Sequence, residues 1–246
     1  MTTADIALVT GANKGLGFEI ARQLAERGMR VYLGARDEAR GMEAAAQLSE
    51  VGDVRYVQLD VTDKDSVLAA LARIEAESGR LDVLVNNAGI STETGTAVAE
   101  ITTDQMRATY EVNVFGVVTM ISAAIPLMRK SENPRIVNMS SRLGSLTALS
   151  APDSRQRKMG ALTYSSSKAA LNVLTLVYSE ALREEGFQIN SVTPGRVATD
   201  IGSGTDRSGA HSLAEGVRAP VYLATLPKGS LTGEFRGSGI DESPGW

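Results

Sequence analysis

Tyr164 and Lys168 stand four residues apart in an apolar stretch that reads as a helix, so both project from one face. A free phenol has a pKa of about 10, too high for efficient proton exchange near neutrality. A neighbouring ammonium favours the phenolate and pulls that value down. Bringing it to about 7 takes about 4 kcal/mol of differential interaction. Such a pair could hand a proton to an oxygen that is gaining negative charge, or take one from a hydroxyl. The spacing alone is usually that of a solvated helix face, so the surrounding residues decide its meaning.

A second chemical feature lies near the N-terminus. Thr10-Gly11-Ala12-Asn13-Lys14-Gly15-Leu16-Gly17 separates an apolar run at 6–9 from a helical pattern. Glycines there permit a tight turn and a close backbone approach, and a helix N-terminus offers free N–H groups and partial positive charge to a pyrophosphate. The spacing is G-x3-G-x-G rather than the more familiar G-x-G-x-x-G. The next apolar run, Val31-Tyr32-Leu33, leads into Gly34-Ala35-Arg36. In dinucleotide folds an acid about 20 residues past the glycine turn holds the ribose hydroxyls. The register puts Ala35 where that acid would stand, with Arg36 beside it. A guanidinium there can grip a 2′-phosphate. A register shifted by two would instead give the acid's place to Asp37.

These residues need elements to position them. Leu16, Ile20 and Leu24 recur every four residues, as on one helix face. Helical patterns then alternate with strand-length apolar runs. Strands are expected at 6–9, 31–33, 54–59, 81–85, Arg135–Met139 and 187–192. Helices are expected at 36–49, along Val67, Leu71 and Ile74, at 103–130 with a kink near Pro126, at 162–184 and, more weakly, at 213–226. Strands separated by helices imply a parallel, doubly wound α/β sheet with helices on both faces, and one such domain over residues 1–246. The stretches 143–161 and 198–212 read as loops, the second as a lid. A Gly-rich tail closes the chain.

Composition narrows the function classes. The 246 residues include no cysteine, which excludes disulfides, thiolate metal sites and cysteine nucleophiles. A formal charge of -4 is unlike the basic footprint of a nucleic-acid binder. No apolar run approaches transmembrane length, and Met1-Thr2-Thr3-Ala4-Asp5 lacks a signal-peptide pattern, so a cytoplasmic protein without membrane partners is expected. His211, the only histidine, sits in a Gly/Ser-rich stretch and reads as a solvated loop residue, and no metal-ligand cluster is visible.

The glycine turn resembles that of the short-chain dehydrogenases/reductases. Further motifs of that family follow in order: Asp60 after the third strand, Asn86-Asn87-Ala88-Gly89 after the fourth, and Asn113 in the long helix. Ser141 follows the fifth strand, then come Tyr164-x-x-x-Lys168 and, after the sixth, Pro194-Gly195. The resemblance covers residues 5–199. It implies a Rossmann fold and hydride transfer between a nicotinamide and a small carbonyl or alcohol substrate. It implies Tyr164 as general acid/base, and Lys168 lowering its pKa and binding the nicotinamide ribose. Ser141, the second of a serine pair, would hydrogen-bond the substrate oxygen, and Asn113 would hold a water in a proton relay. The implied cofactor site comprises Gly11, Asn13, Lys14, Gly15, Leu16 and Gly17, then Arg36, Asp60 and Val61. Asn87, Ala88, Gly89, Tyr164 and Lys168 extend it, and Pro194, Gly195, Val197 and Thr199 complete it. Lys14 resembles a basic position of NADP-linked members, so NADP(H) is the expected cofactor, with Asp37 pointing to NAD if the register shifts.

The interval between Ser141 and Tyr164 is longer than in many members and resembles the carbonyl-reductase branch, as do Val137-Asn138-Met139-Ser140-Ser141 and the Asn13-Lys14 turn. Thr232-Gly233-Glu234-Phe235 resembles the family's late T-G-x-x stretch, but the Asp-Gly-Gly ending is missing. That argues against a tetramer and leaves a homodimer through the long helices. A cofactor-binding regulator without chemistry, or a dehydratase or epimerase on the same scaffold, are the alternatives. The regulator would be expected to lack the tyrosine or lysine, and both are present.

Overall fold

The computed structural model describes residues 4–93, 95–197 and 211–246. Strands β1 (Ile6–Thr10), β2 (Arg30–Ala35), β3 (Val54–Gln58), β4 (Val83–Asn86), β5 (Arg135–Met139), β6 (Gln188–Val192) and β7 (Phe235–Arg236) form one seven-stranded sheet in the order β3-β2-β1-β4-β5-β6-β7. Every pairing is parallel. The six expected strands stand within two residues of their sequence positions. β7 is the addition, formed in a tail whose sequence reads as irregular.

Strand periodicity divides the core between two faces. Ala7, Val9, Val31, Leu33, Val83 and Val85 point to one face, where they pack with Ile20 and Leu24 of α1 (Gly15–Glu26) and Leu48 of α2 (Glu38–Leu48). Leu8, Tyr32, Leu84 and Ile136 point to the other. There they meet Val67, Leu71 and Ile74 of α3 (Lys64–Ser78) and the long helices that follow.

The expected helix at 103–130 is in fact α4 (Thr103–Tyr110), a π-helical turn at Glu111–Phe115 and α5 (Gly116–Met128). Its irregularity therefore lies at the π turn, and α5 runs past Pro126. Such turns inside α-helices often mark functional positions. This run is long and apolar enough to cross a membrane by composition, but half of its most apolar window is buried in the fold, as in a core helix.

The stretch 143–161, expected as loop, contains α6 (Leu146–Ser150) and α7 (Arg155–Lys158), each started by its own serine. Ser145 Oγ accepts from Ala148 N and Ser154 Oγ from Arg157 N. α8 (Leu162–Ala181) follows, and the expected helix at 213–226 divides into α9 (Leu213–Gly216) and α10 (Arg218–Ala224). The tail folds back beyond β7. Trp246 stacks at 5.4 Å on Phe235, and its carbonyl accepts hydrogen bonds from Thr147 N and Oγ1.

Candidate active site

The strand order reverses between β1 and β4, whose carboxyl ends open a crevice of the kind that binds ligands in doubly wound folds. The turns after these strands lock together. Thr10 Oγ1 accepts from Asn87 N at 3.0 Å and Ala88 N at 2.9 Å. Asn87 Nδ2 donates back to the carbonyls of Thr10 and Gly11 at 2.8 and 3.1 Å. Gly11 and Gly15 take positive φ angles of 61° and 59°. A Cβ on Gly17 would stand 2.4 Å from Asn87 Nδ2 and 2.6 Å from Gly11 O, whereas one on Gly15 would meet nothing within 4 Å. Lys14 precedes α1 in extended conformation and no side chain caps that helix. The result is an open, uncapped helix start over a glycine cradle, which fits a pyrophosphate.

A cavity of about 560 Å³ runs from this cradle to the Tyr164–Lys168 pair. All six residues expected from the turn line it, as do Arg36, Asp60 and Val61. Asn87, Ala88, Gly89 and Pro194 line it further along. Gly195 and Val197 do not: Gly195 stands against Ser238 and His211, and Val197 packs over Gly216 of α9. Thr199 and nearly all of the expected lid at 198–212 lie outside the described residues.

The register question at the end of β2 has a structural answer. Ala35 is the last strand residue and Arg36 follows it at the cavity. The Asp37 carboxylate accepts from Arg40 N at 3.0 Å and so caps α2. Asp60 is likewise engaged locally, accepting from Thr62 N and Oγ1 at 2.9 and 2.7 Å.

At the other end, Ser140, Tyr164 and Lys168 line the cavity, and Ser141 lies beside the Tyr164 phenol, close enough to favour its ionised form. Leu143 N donates to Ser141 Oγ at 3.2 Å, leaving the hydroxyl's single proton to be donated elsewhere. Ser140 is different: it is buried and donates to Asn172 Oδ1 at 2.6 Å, and Asn172 in turn donates to Gly144 O at 3.1 Å. The serine pair thus divides into Ser141 beside the phenol and Ser140 at the cavity wall, its hydroxyl tied into the scaffold.

Lys168 is buried and donates to Met139 O at 2.8 Å, with its Nζ 5.5 Å from the Tyr164 ring centre. Burial lowers its pKa to about 8. Burial also pushes the Tyr164 phenol up to about 12, and Ser141 is the group that pulls it the other way. The ammonium is turned to a strand-end carbonyl and is itself destabilised by its surroundings.

Asn113, in the π turn, is fully buried. Its amide pairs with Ile90 in both directions, accepting from the N–H and donating to the carbonyl at 2.9 Å each. It also donates to Ser167 Oγ at 3.0 Å, and Ser167 donates to Tyr164 O at 2.8 Å. Through these bonds the Asn113 side chain ties the β4 turn to α8.

Sequence reasoning missed several residues. Thr10 was within reach, because a threonine at a strand end beside an Asn-Asn-Ala-Gly turn is a ready acceptor for its N–H groups. Ile90, Ser91 and Leu213 line the cavity but carry no chemical signature. Glu93, buried against the start of α8, has its partners 70 and 71 residues away and left no local signal.

Comparison with known proteins agrees with this geometry. Residues 5–208 match the family model described as short chain dehydrogenase. The chain is 38% identical to short-chain dehydrogenase/reductase 1 of Saponaria officinalis, over 93% of this chain and 92% of that one. It is 36% identical to (+)-neomenthol dehydrogenase of Arabidopsis thaliana, over 92% and 93%. Among solved structures, NADPH-bound carbonyl reductase from chicken fatty liver superposes with a TM-score of 0.85 at 28% identity, covering 100% of both chains. The chain belongs to the short-chain dehydrogenase/reductase family. Its activity is that of an oxidoreductase of this family.

Proposed function

We propose that this protein interconverts a carbonyl and an alcohol with NADP(H), Tyr164 serving as general acid in reduction and general base in oxidation. The observation that carries the reading is the cavity that begins at the glycine cradle and ends at Tyr164 and Lys168, with Ser141 beside the phenol. The nicotinamide supplies or accepts the hydride when bound.

The chain's own groups do the rest. A substrate oxygen beside Tyr164 and Ser141 receives one hydrogen bond from each hydroxyl, a small oxyanion site. As charge develops on that oxygen, Tyr164 delivers its proton and Ser141 keeps its bond. Below pH 8 Lys168 is cationic and favours the negative charge that passes between phenol and substrate. Asn113 keeps Ile90, the β4 turn and α8 in register. The uncapped start of α1 and the Gly11, Gly15 and Gly17 backbone would hold the pyrophosphate, with Asn87, Ala88 and Gly89 facing it across the cleft. Lys14 and Arg36 would hold the 2′-phosphate. Ala35, which replaces an acid, and Asp37, which is engaged at α2, leave no carboxylate in that place.

The similarity to (+)-neomenthol dehydrogenase supports a cyclic, mostly apolar ketone or secondary alcohol as substrate. So do Leu146, Met159 and Leu162, which stay exposed along the segment between Ser141 and Tyr164. Phe115, Val173 and Val177 are exposed on the long helices, which suits a homodimer. The test measures kcat/KM with NADPH and NADH over a panel of cyclic ketones, for the wild type and for Lys14→Ala/Arg36→Ala. The wild type should favour NADPH by a large factor and the double variant should lose most of that preference. A wild type that prefers NADH would overturn the cofactor assignment.

A further inference from the structure

The helix that carries Tyr164 has no cap of its own. Ala161 precedes it and offers no side-chain acceptor. Four other helices behave differently: Asp37, Asp63, Thr102 and Ser212 each cap the helix they precede. At α8 the free N–H groups are met from elsewhere in the chain. Thr163 N donates to Glu93 Oε2 at 2.7 Å, and Tyr164 N donates to Glu93 Oε1 at 2.9 Å. Glu93 is buried, on the loop that leaves β4.

A buried carboxylate is costly unless its oxygens are bonded. Here both are, by charge-assisted bonds at the positive end of a 20-residue helix. A local serine or aspartate could satisfy the same N–H groups. Only a carboxylate from the β4 loop also ties the cavity wall to the residue that bears the phenol. Ile90 and Ser91, just before Glu93, line the cavity. The tie is reinforced on both sides. Thr96 N donates to Glu93 O at 3.0 Å. Thr92 and Thr109 share a hydrogen bond of 2.9 Å, and Thr109 Oγ1 donates to Thr163 Oγ1 at 3.2 Å. These bonds therefore tie the loop, α4 and the first turn of α8 together.

We infer that Glu93 is a positioning residue for Tyr164: its carboxylate sets the height and rotation of the first turn of α8 against the cavity wall, so that the phenol meets Ser141. The inference rests on the proposal that Tyr164 is the proton donor. Displacing a reacting group by about 1 Å can cost on the order of 10²-fold in rate.

The test uses Glu93→Ala and Glu93→Gln in the full chain, assayed below the melting temperature of each. Glu93→Ala should lower kcat by about ten- to a hundredfold. Its NADPH dissociation constant, read by fluorescence, should stay within about twofold of wild type. Without cofactor, the Thr163 and Tyr164 amides should exchange hydrogen faster. Glu93→Gln keeps one acceptor oxygen and should fall between Glu93→Ala and wild type in both kcat and exchange. If Glu93→Ala does not fold, Glu93→Gln decides by the same split. Wild-type kcat in a folded variant with faster exchange would make Glu93 a plain helix cap and overturn the inference, as would a loss confined to NADPH affinity. Tyr164→Phe is run alongside. Full turnover there would sink the underlying proton-donor proposal, whereas an inactive Tyr164→Phe beside a fully active Glu93→Ala would sink the Glu93 inference alone.

Discussion

Residues 10–17 and residues 142–161 each follow the carboxyl end of a strand, yet they are built on opposite plans. The glycine turn is held by backbone and near-backbone bonds to a second turn, with Thr10 and Asn87 interlocked and no room for a Cβ at Gly17. The segment between Ser141 and Tyr164 is a run of short helices with local serine caps. It is steadied by the tail through Ser145 to Pro244 O, Thr147 to Trp246 O and the exposed Arg142–Glu242 pair. At Gly17 and at the Thr10–Asn87 interlock the first plan tolerates almost no change, because those atoms are held from two sides. The second allows its outward residues to vary while the caps persist. A fixed glycine cradle beside a more variable segment suits a family acting on many substrates with one chemistry.

The harshest way to probe that contrast is Gly17→Ala. The new methyl would collide with Gly11 O and with an Asn87 amide that is already bonded twice. NADPH affinity should fall on the order of a hundredfold, about 2.7 kcal/mol, as isothermal titration would show. An affinity within a few-fold of wild type would mean that the turn is more compliant than its packing indicates.

The serine pair divides along the same line. Ser141→Ala removes a donor at the substrate oxygen, and kcat should fall about 10²-fold. Ser140→Ala leaves Asn172 Oδ1 buried without its donor, which should cost about 1–3 kcal/mol of stability in urea unfolding while leaving most of the turnover. The reverse ranking in steady-state kinetics would exchange the two roles.

A smaller effect concerns Lys168. Burial places its pKa at about 8, so the ammonium is present below that pH and lost above it. Carbonyl reduction should therefore decline several-fold as pH rises past 8. In Lys168→Arg, whose guanidinium keeps its charge, the decline should move to higher pH. A wild-type profile flat to pH 10 would separate the lysine's charge from its role.

Much of this organisation was legible because it is local. β1, β2 and β4 are built on short apolar runs and β3, β5 and β6 on runs broken by polar residues, and the cradle, the Asn-Asn-Ala-Gly turn and the Tyr164–Lys168 spacing are short words in the chain. What escaped depends on contacts between distant segments. β7 is two residues long and exists only by pairing with β6. The π turn at Asn113 has no periodic signature, and Pro126 drew attention to the wrong place in that helix. Glu93 looks like any loop glutamate until the fold brings it to Thr163 and Tyr164. The setting of Lys168 escaped for a related reason. Helical spacing sets which face Lys168 shares, but burial and the Met139 carbonyl decide where its charge goes.

At the centre of this reading, one hydroxyl carries the proton in a site whose cofactor half is independent of it. Tyr164→Phe tests it most directly, with kcat for ketone reduction and the NADPH dissociation constant measured on the same preparation. The expected result is a loss of about 10²–10⁴ in kcat with NADPH binding unchanged within about twofold. Turnover within a few-fold of wild type would contradict it.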